Sequence, residues 1–299
     1  MQLVSIGVCA FNEERNIGAC LASLIKQRLR DFDLVEMIVV SSGSTDRTDE
    51  VVKEYRAKDP RVMLLRQERR EGKNSAINLF LSQARGEILV LANADNQLAD
   101  EALQNLLSHF TDEKVGVVGG RPIPINSKED LAGFAVHMLW DMHHRVSLMF
   151  PKVGELIAFR RLDRQLPLAT QSDEDIIRME LEGRGFRTEY APDAIVFNKG
   201  PDNLRDFVKQ RTRVNIGEKY MKRLYDYSIP TWDIRLLFAS YLSFLQGSRR
   251  HPLLVLGAMG LEAYSRLYAT LYVALDKGDQ AVWQQVASTK DLSRERNDH

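Results

Sequence analysis

Two spacings of apolar residues alternate along the chain as far as Arg121. Residues 4–10, 35–41, 62–66, 88–92 and 115–118 are nearly continuous apolar runs, most of them rich in valine and isoleucine. Between them, over 16–27, 47–58, 73–84 and 101–110, apolar residues recur three or four positions apart. The first spacing predicts buried strands and the second predicts helices with one apolar stripe. Strands lacking a polar face belong to a parallel sheet covered on both sides, so the pattern predicts an α/β fold. Such sheets bind ligands beyond the carboxyl ends of their strands. The residues just after each strand are therefore the ones to read for chemistry.

Beyond Arg121 the alternation loosens. Gly120-Arg-Pro-Ile-Pro124 reads as a turn-rich passage, followed by a helical pattern through Trp140. A strand pattern at 155–159 precedes an acidic helix start at Ser172. Gly185-Phe186-Arg187 reads as a helix stop, and residues 194–197 as a strand. From Leu204 the pattern is wholly helical, with aromatic and basic residues interleaved. The expected organisation is an α/β domain over residues 1–225 and a helical C-terminal region over 226–299.

Composition narrows the class. The 299 residues are 44% apolar, enough for a sizeable core, and 41 basic side chains balance 41 acidic ones. That neutrality argues against a nucleic-acid partner. Cys9 and Cys20 cannot build a disulfide framework, which points to a reducing compartment. Met1-Gln2-Leu3 enters a strand pattern without a basic leader. The most apolar stretch, 251–275, is interrupted by Glu262 and Arg266, whereas a bilayer span needs about 20 residues nearly free of charge. The expected location is cytoplasmic.

Four strand ends carry candidate chemistry. After the first comes Phe11-Asn12-Glu13-Glu14, where Asn12 suits a helix cap and an acid suits either the helix dipole or a ribose. After the second, Ser41-Ser42-Gly43-Ser44-Thr45-Asp46 permits close backbone approach. After the third, Lys73 opens a helix against the dipole, an arrangement that a bound anion would relieve, and Asn78 lies further along that helix. After the fourth, Asn93 and Asp95 fall on alternate positions and point to one side. Two such oxygens suit a hard divalent cation, which in turn would neutralise a diphosphate.

Taken in order, these segments resemble the family 2 glycosyltransferases with the nucleotide-diphospho-sugar transferase fold called GT-A. The resemblance rests on VSIGVCAFNEERNIGACLASL, SSGSTDRT, GKNSAIN and NADN in that order, and covers roughly residues 3–215. It implies a Rossmann-like, mostly parallel sheet with helices on both faces. Phe11, Asn12 and Glu13 would line the nucleotide pocket, with Ser42 nearby and Glu13 near the ribose. Lys73 and Asn78 would face the nucleotide or the acidic turn, and Asp95 would carry Mg²⁺ or Mn²⁺ beside the donor diphosphate. The sequence departs from the family twice here. Serines stand at 41 and 42 where relatives usually have acids, and Asn93 stands at the first position of the usual Asp-x-Asp.

The same resemblance places the segment 154–161 at the sugar and acceptor pocket. It puts the catalytic base of an inverting transfer within Asp173, Glu174 and Asp175. Aligning Ile177, Leu181 and Gly185 with the family favours Glu174, with Asp175 and Asp173 as rivals. Gln210-Arg211-Thr212-Arg213-Val214 resembles the Gln-x-x-Arg-Trp signature with valine for tryptophan, so Gln210 and Arg213 would reach the diphosphate. His143-His144 beside Asp141 matches no metal-ligand spacing. A surface or acceptor-pocket role is expected for the pair.

Relatives with this signature include transferases acting on membrane lipids. Here Trp232, Leu236, Leu237, Phe238, Tyr241 and Phe244, followed by Arg249-Arg250-His251, suit helices lying in a membrane interface or packed on a second subunit. The implied activity moves a sugar from a UDP- or GDP-sugar to a lipid or lipid-linked saccharide at the inner membrane face. The alternative is a non-catalytic membrane-surface or partner-binding module on the same scaffold. A sugar-phosphate nucleotidyltransferase would instead open with a glycine-rich loop after the first strand. Net neutrality also hides two zones: six acids and no Lys or Arg over 86–113, and eight bases against three acids over 199–223. The first suits a cation, the second a diphosphate or anionic headgroups.

Overall fold

The computed structural model describes residues 1–168, 172–226, 252–275 and 287–289. In its first part β1 (Gln2–Ala10), β2 (Phe32–Ser42), β3 (Val62–Gln67) and β4 (Ile88–Asn93) alternate with α1 (Ile17–Ile25), α2 (Thr48–Lys58) and α3 (Lys73–Gln83). Then follow β5 (Gln97–Leu98), α4 (Ala102–Ser108), β6 (Val115–Pro124) and α5 (Leu131–Met149). The chain continues through β7 (Leu156–Arg160), α6 (Asp173–Gly183), β8 (Arg187–Asn198), α7 (Leu204–Tyr225) and α8 (Pro252–Ala274). The eight strands form one sheet in the order β3-β2-β1-β4-β7-β6-β8-β5. Pairings β3-β2, β2-β1, β1-β4 and β6-β8 are parallel; β7, inserted between β4 and β6, is antiparallel to both.

Period-two alternation explains why these strands are apolar throughout. In β4, Ile88, Val90 and Ala92 join a core with α1, α2 and α4 on one face, while Leu89 and Leu91 join α3 and α6 on the other. Gly7 makes one close approach possible: a Cβ there would lie 2.7 Å from the Phe80 ring of α3. The predicted α/β sheet is thus the observed one, with helices on both faces.

Two elements differ from the sequence expectation. The passage 120–124, read as turns, is the second half of β6 and pairs with β8 as far as Pro124. Its prolines are tolerated because β7 accompanies β6 only to Gly119, leaving a free edge where a missing N–H breaks no ladder. The short β5, which the pattern did not predict, pairs antiparallel with Phe197 and Val196 of β8.

The C-terminal helices pack together beside the sheet. Phe134, Val136 and Met138 of α5 share a core with Phe207 of α7 and with Val255 and Ala258 of α8. Arg211 of α7 grips Glu262 of α8 with two bonds of 2.8 Å, and Arg266 holds the same carboxylate at 2.7 Å. Those charges interrupt the apolar run because they are a half-buried tie, Arg211 to Glu262, between helices. The opposite face of α8 leaves Leu253, Leu256, Leu267, Leu271 and Leu275 exposed. No helix among the described residues is long and apolar enough to cross a membrane. The aromatic and basic positions from Trp232 to His251, assigned above to an interface, lie outside the described residues.

Candidate active site

A cavity of about 510 Å³ opens at the carboxyl ends of β1, β2 and β4. Its floor is Phe11, Ser42, Asn93 and Asp95 from those ends, with Glu155 from the start of β7. Antiparallel pairing brings Glu155 there: Ala92 pairs with Leu156, so the next positions outward are Asn93 and Glu155. Asn93 Nδ2 donates to Glu155 Oε2, and Asn96 Nδ2 holds the Glu155 carbonyl at 2.9 Å.

The α3 and α6 helices aim their N-termini at the same space. Gly72, with φ +96°, lets the chain turn into α3, so that Lys73 points into the cavity. Lys73 Nζ lies 2.8 Å from Asp173 and 3.0 Å from Glu174. Burial alone would favour the neutral amine, but these two carboxylates hold Lys73 well above the usual lysine value. Burial, with the charge of Glu174 adding, pushes Asp173 up to about 7 against the pull of Lys73. Asp175 also lines the cavity, near Lys152 and Glu218, and burial raises it to about 7 despite Lys152. Of the three acids, Asp173 is 1% exposed and Glu174 23%. Asp175 is buried as well, so Glu174 is the most exposed of the three.

Further basic and aromatic groups complete the walls. Arg213 and Gln210 of α7 line the cavity, with Val214 beside them. Burial lowers the Arg213 value, and Glu155, Asp95 and Glu174 counter that. Burial raises Asp95, opposed by Lys73 and Arg213, and raises Glu155 to about 7 with the charge of Asp95 adding. The Arg70 guanidinium stacks 4.2 Å above the Phe11 ring. That stacking needs Gly43, whose φ is +70° and where a Cβ would meet Arg70 N at 2.5 Å. The far wall is apolar, formed by Val136, Leu139, Trp140, Met142 and Val146 of α5 with Phe207 of α7. His143 sits in that wall with Trp140 edge-on at 5.4 Å, and burial pushes its imidazole down to about 3.

The structure therefore gathers Phe11, Ser42, Lys73, Asn93, Asp95, Asp173, Glu174, Asp175, Gln210 and Arg213 around one cavity. Three of the sequence-based candidates are not among the residues that line this cavity. Asn12, with φ +52°, accepts the Thr45 amide at 2.8 Å and so clasps the turn after β2. It neither lines the cavity nor caps α1. Glu13 is buried behind it; its amide donates to Thr48 at 2.8 Å and its carboxylate accepts from Asn16 at 3.1 Å. Asn78 spends both ends of its amide on the backbone of Leu166, at 2.9 and 2.7 Å, and Asn74 likewise holds Pro167. These α3 amides fasten the chain leading to the acids of α6.

Sequence reasoning passed over Glu155, Arg70 and Trp140. Glu155 stood within a segment already assigned to the pocket, and the register with β4 is what singles it out.

No group of three or more His, Cys, Asp or Glu among the described residues forms a closed metal site. Asp95 and Glu155 nonetheless suit a hard dication, since both are carboxylates lining the cavity and one Glu155 oxygen accepts no hydrogen bond among the described residues. An incomplete protein set of this kind leaves room for diphosphate oxygens.

Comparison with known proteins agrees with this geometry. The sequence model described as "Glycosyl transferase family 2" matches residues 5–170. An N-acetylglucosaminyltransferase of Rhizobium meliloti is 28% identical over 234 residues, which is 70% of this chain and 54% of that protein. A beta-monoglucosyldiacylglycerol synthase of Nostoc is 31% identical over 163 residues, 52% of this chain and 34% of that protein. The chain thus spans about half or less of the curated relatives it matches. Among solved structures, a mannosyltransferase from Pyrobaculum calidifontis in complex with GDP-Man and Mn²⁺ superposes with a TM-score of 0.64 at 22% identity. That likeness covers 92% of this chain and 87% of the other, and it establishes the GT-A fold.

Proposed function

This chain belongs to glycosyl transferase family 2, and from that premise we propose that it transfers a sugar, with inversion, from a nucleoside diphosphate to a hydroxyl of a lipid or lipid-linked saccharide. One observation carries the reading: Lys73 joins Asp173 and Glu174 in the same cavity as Asp95 and Arg213. Acid–base and diphosphate-binding groups are thereby within one ligand's reach.

In this mechanism the nucleotide rests between Phe11 with its stacked Arg70 and the Ser42 turn. The acceptor hydroxyl attacks the anomeric carbon while Glu174 takes its proton. The bond from that carbon to the diphosphate breaks, and the electron pair leaves with the diphosphate. Arg213 stabilises the charge developing there, an effect that counts most in the transition state. Asp95 would hold a divalent cation, which would supply Lewis-acid stabilisation to the same leaving group. Lys73 keeps Glu174 in position.

A lipid acceptor is favoured by the apolar α5–α7 wall of the cavity and by the exposed leucines of α8. The similarity to a protein named as a diacylglycerol glycolipid synthase adds to this. Peripheral binding at a membrane surface follows from the same features.

A panel of UDP- and GDP-sugars with Mn²⁺ tests the reading by thermal shift and by release of nucleoside diphosphate. At least one donor should raise Tm and be consumed. Glu174→Gln should lower kcat by 10²-fold or more, the order of a general base, while leaving donor binding intact. Absence of both binding and turnover across the panel would overturn the proposal.

A further inference from the structure

The Asn93-Ala94-Asp95 turn lacks one acid of the family pattern, yet a second carboxylate, Glu155, lines the same cavity. Strand register supplies it. Glu155 stands opposite Asn93 across the β4-β7 pairing, and its carbonyl is fastened by Asn96 at 2.9 Å. The Asn93 amide donates to Glu155 Oε2, leaving Oε1 without a hydrogen bond among the described residues. Both Glu155 and Asp95 line the cavity.

We propose that Glu155 is a ligand of the divalent cation, replacing from the neighbouring strand the carboxylate that position 93 no longer carries. An aspartate at 93 would set two like charges against each other across one strand pair, which is destabilising. The asparagine presents an N–H instead, and so orients the very carboxylate that took over the charge. The exchange conserves the local acid count: one carboxylate is lost at the end of β4 and one is present at the start of β7. Carboxylate oxygens match Mg²⁺ and Mn²⁺, and Asp95 is close enough for its charge to act on Glu155.

This inference rests on the transferase reading, and the experiment separates the two. Mn²⁺ binding to the full chain is measured by calorimetry and by electron paramagnetic resonance, with UDP or GDP present, and needs no turnover. Glu155→Gln should weaken Mn²⁺ about 10- to 100-fold. The exchanged double variant Asn93→Asp/Glu155→Asn should recover affinity to within a few-fold of the native chain, which also guards against a folding defect in the single variant. Asp95→Asn should abolish Mn²⁺ binding. Native-like Mn²⁺ affinity in Glu155→Gln, with loss in Asp95→Asn, would overturn the assignment of Glu155 and leave the transferase reading standing. The same holds if Glu155→Gln raises only the KM for donor, since that marks contact with the sugar or ribose. A native chain that binds no Mn²⁺ with either nucleotide would overturn the assignment of Glu155, while the transferase reading is decided separately by the donor panel.

Discussion

Asp173, Glu174 and Asp175 are consecutive in sequence and occupy three different environments. The first is sealed under Lys73, the second faces the cavity, and the third turns towards the Lys152–Glu218 pair, itself closed at 3.1 Å. Asp175 provides a pH test. An unfolded aspartate titrates near 3.9, whereas burial raises the folded one to about 7 against the pull of Lys152. Between those values the folded state holds the extra proton, so this residue's contribution to stability falls as pH rises, with the full penalty above about 7. Asp175→Asn removes that titration. Relative to the native chain, the variant should gain on the order of 4 kcal/mol between pH 4 and 7 and then level off. Urea unfolding of both proteins at pH 5 and pH 8 measures this, and a pH-independent difference would refute a carboxyl buried in this way.

At the scale of elements, α3 organises the site through its first residue and two faces. Its first residue supplies Lys73, its polar side holds Leu166 and Pro167 ahead of α6, and its apolar side sets Phe80 against Gly7. Gly7→Ala should therefore do more than loosen the core. The added methyl, 2.7 Å from the ring, displaces α3, at a cost of about 1–3 kcal/mol for overpacking. Because Lys73 moves with the helix, kcat should fall as well. Phe80→Leu in the Gly7→Ala background should restore part of both losses, read as Tm and kcat. An additive double variant would show that the ring and the glycine are not in contact. The extent of α3 was legible from its apolar period, but the engagement of Asn78 was not, because its partner Leu166 lies 88 positions away.

Across the whole molecule, the two charge zones separate into different surfaces. Of the acids over 86–113, Asp95 lines the cavity, while Glu101 and Asp112 are exposed and paired with Arg30 and Arg187. Within the basic stretch 199–223, Lys199, Arg211 and Arg213 all line the cavity, Arg211 held by Glu262 and Lys199 by Asp202. A membrane role rests instead on the apolar side of α8. Leu256→Glu/Leu267→Glu should shift the protein from the pellet to the supernatant in sedimentation with anionic vesicles, with donor binding unchanged. A native chain that stays in the supernatant would refute membrane docking.

The sequence by itself determined the alternation of strands and helices and the order of polar segments at their ends. Those features are written locally: strand and helix periods repeat within a dozen residues, and glycine or serine turns act where they stand. It located the acidic start of α6 and Asp95 for the same reason. Only the tertiary structure decided which of those polar groups share a cavity. Asn12 and Glu13 fell out of it because turn contacts claimed them. Glu155 entered because an antiparallel strand set it beside Asn93, 62 positions away. Lys73 reached Glu174 across 101 positions. Periodicity does not encode such encounters; they depend on strand register and on how two helix termini are aimed.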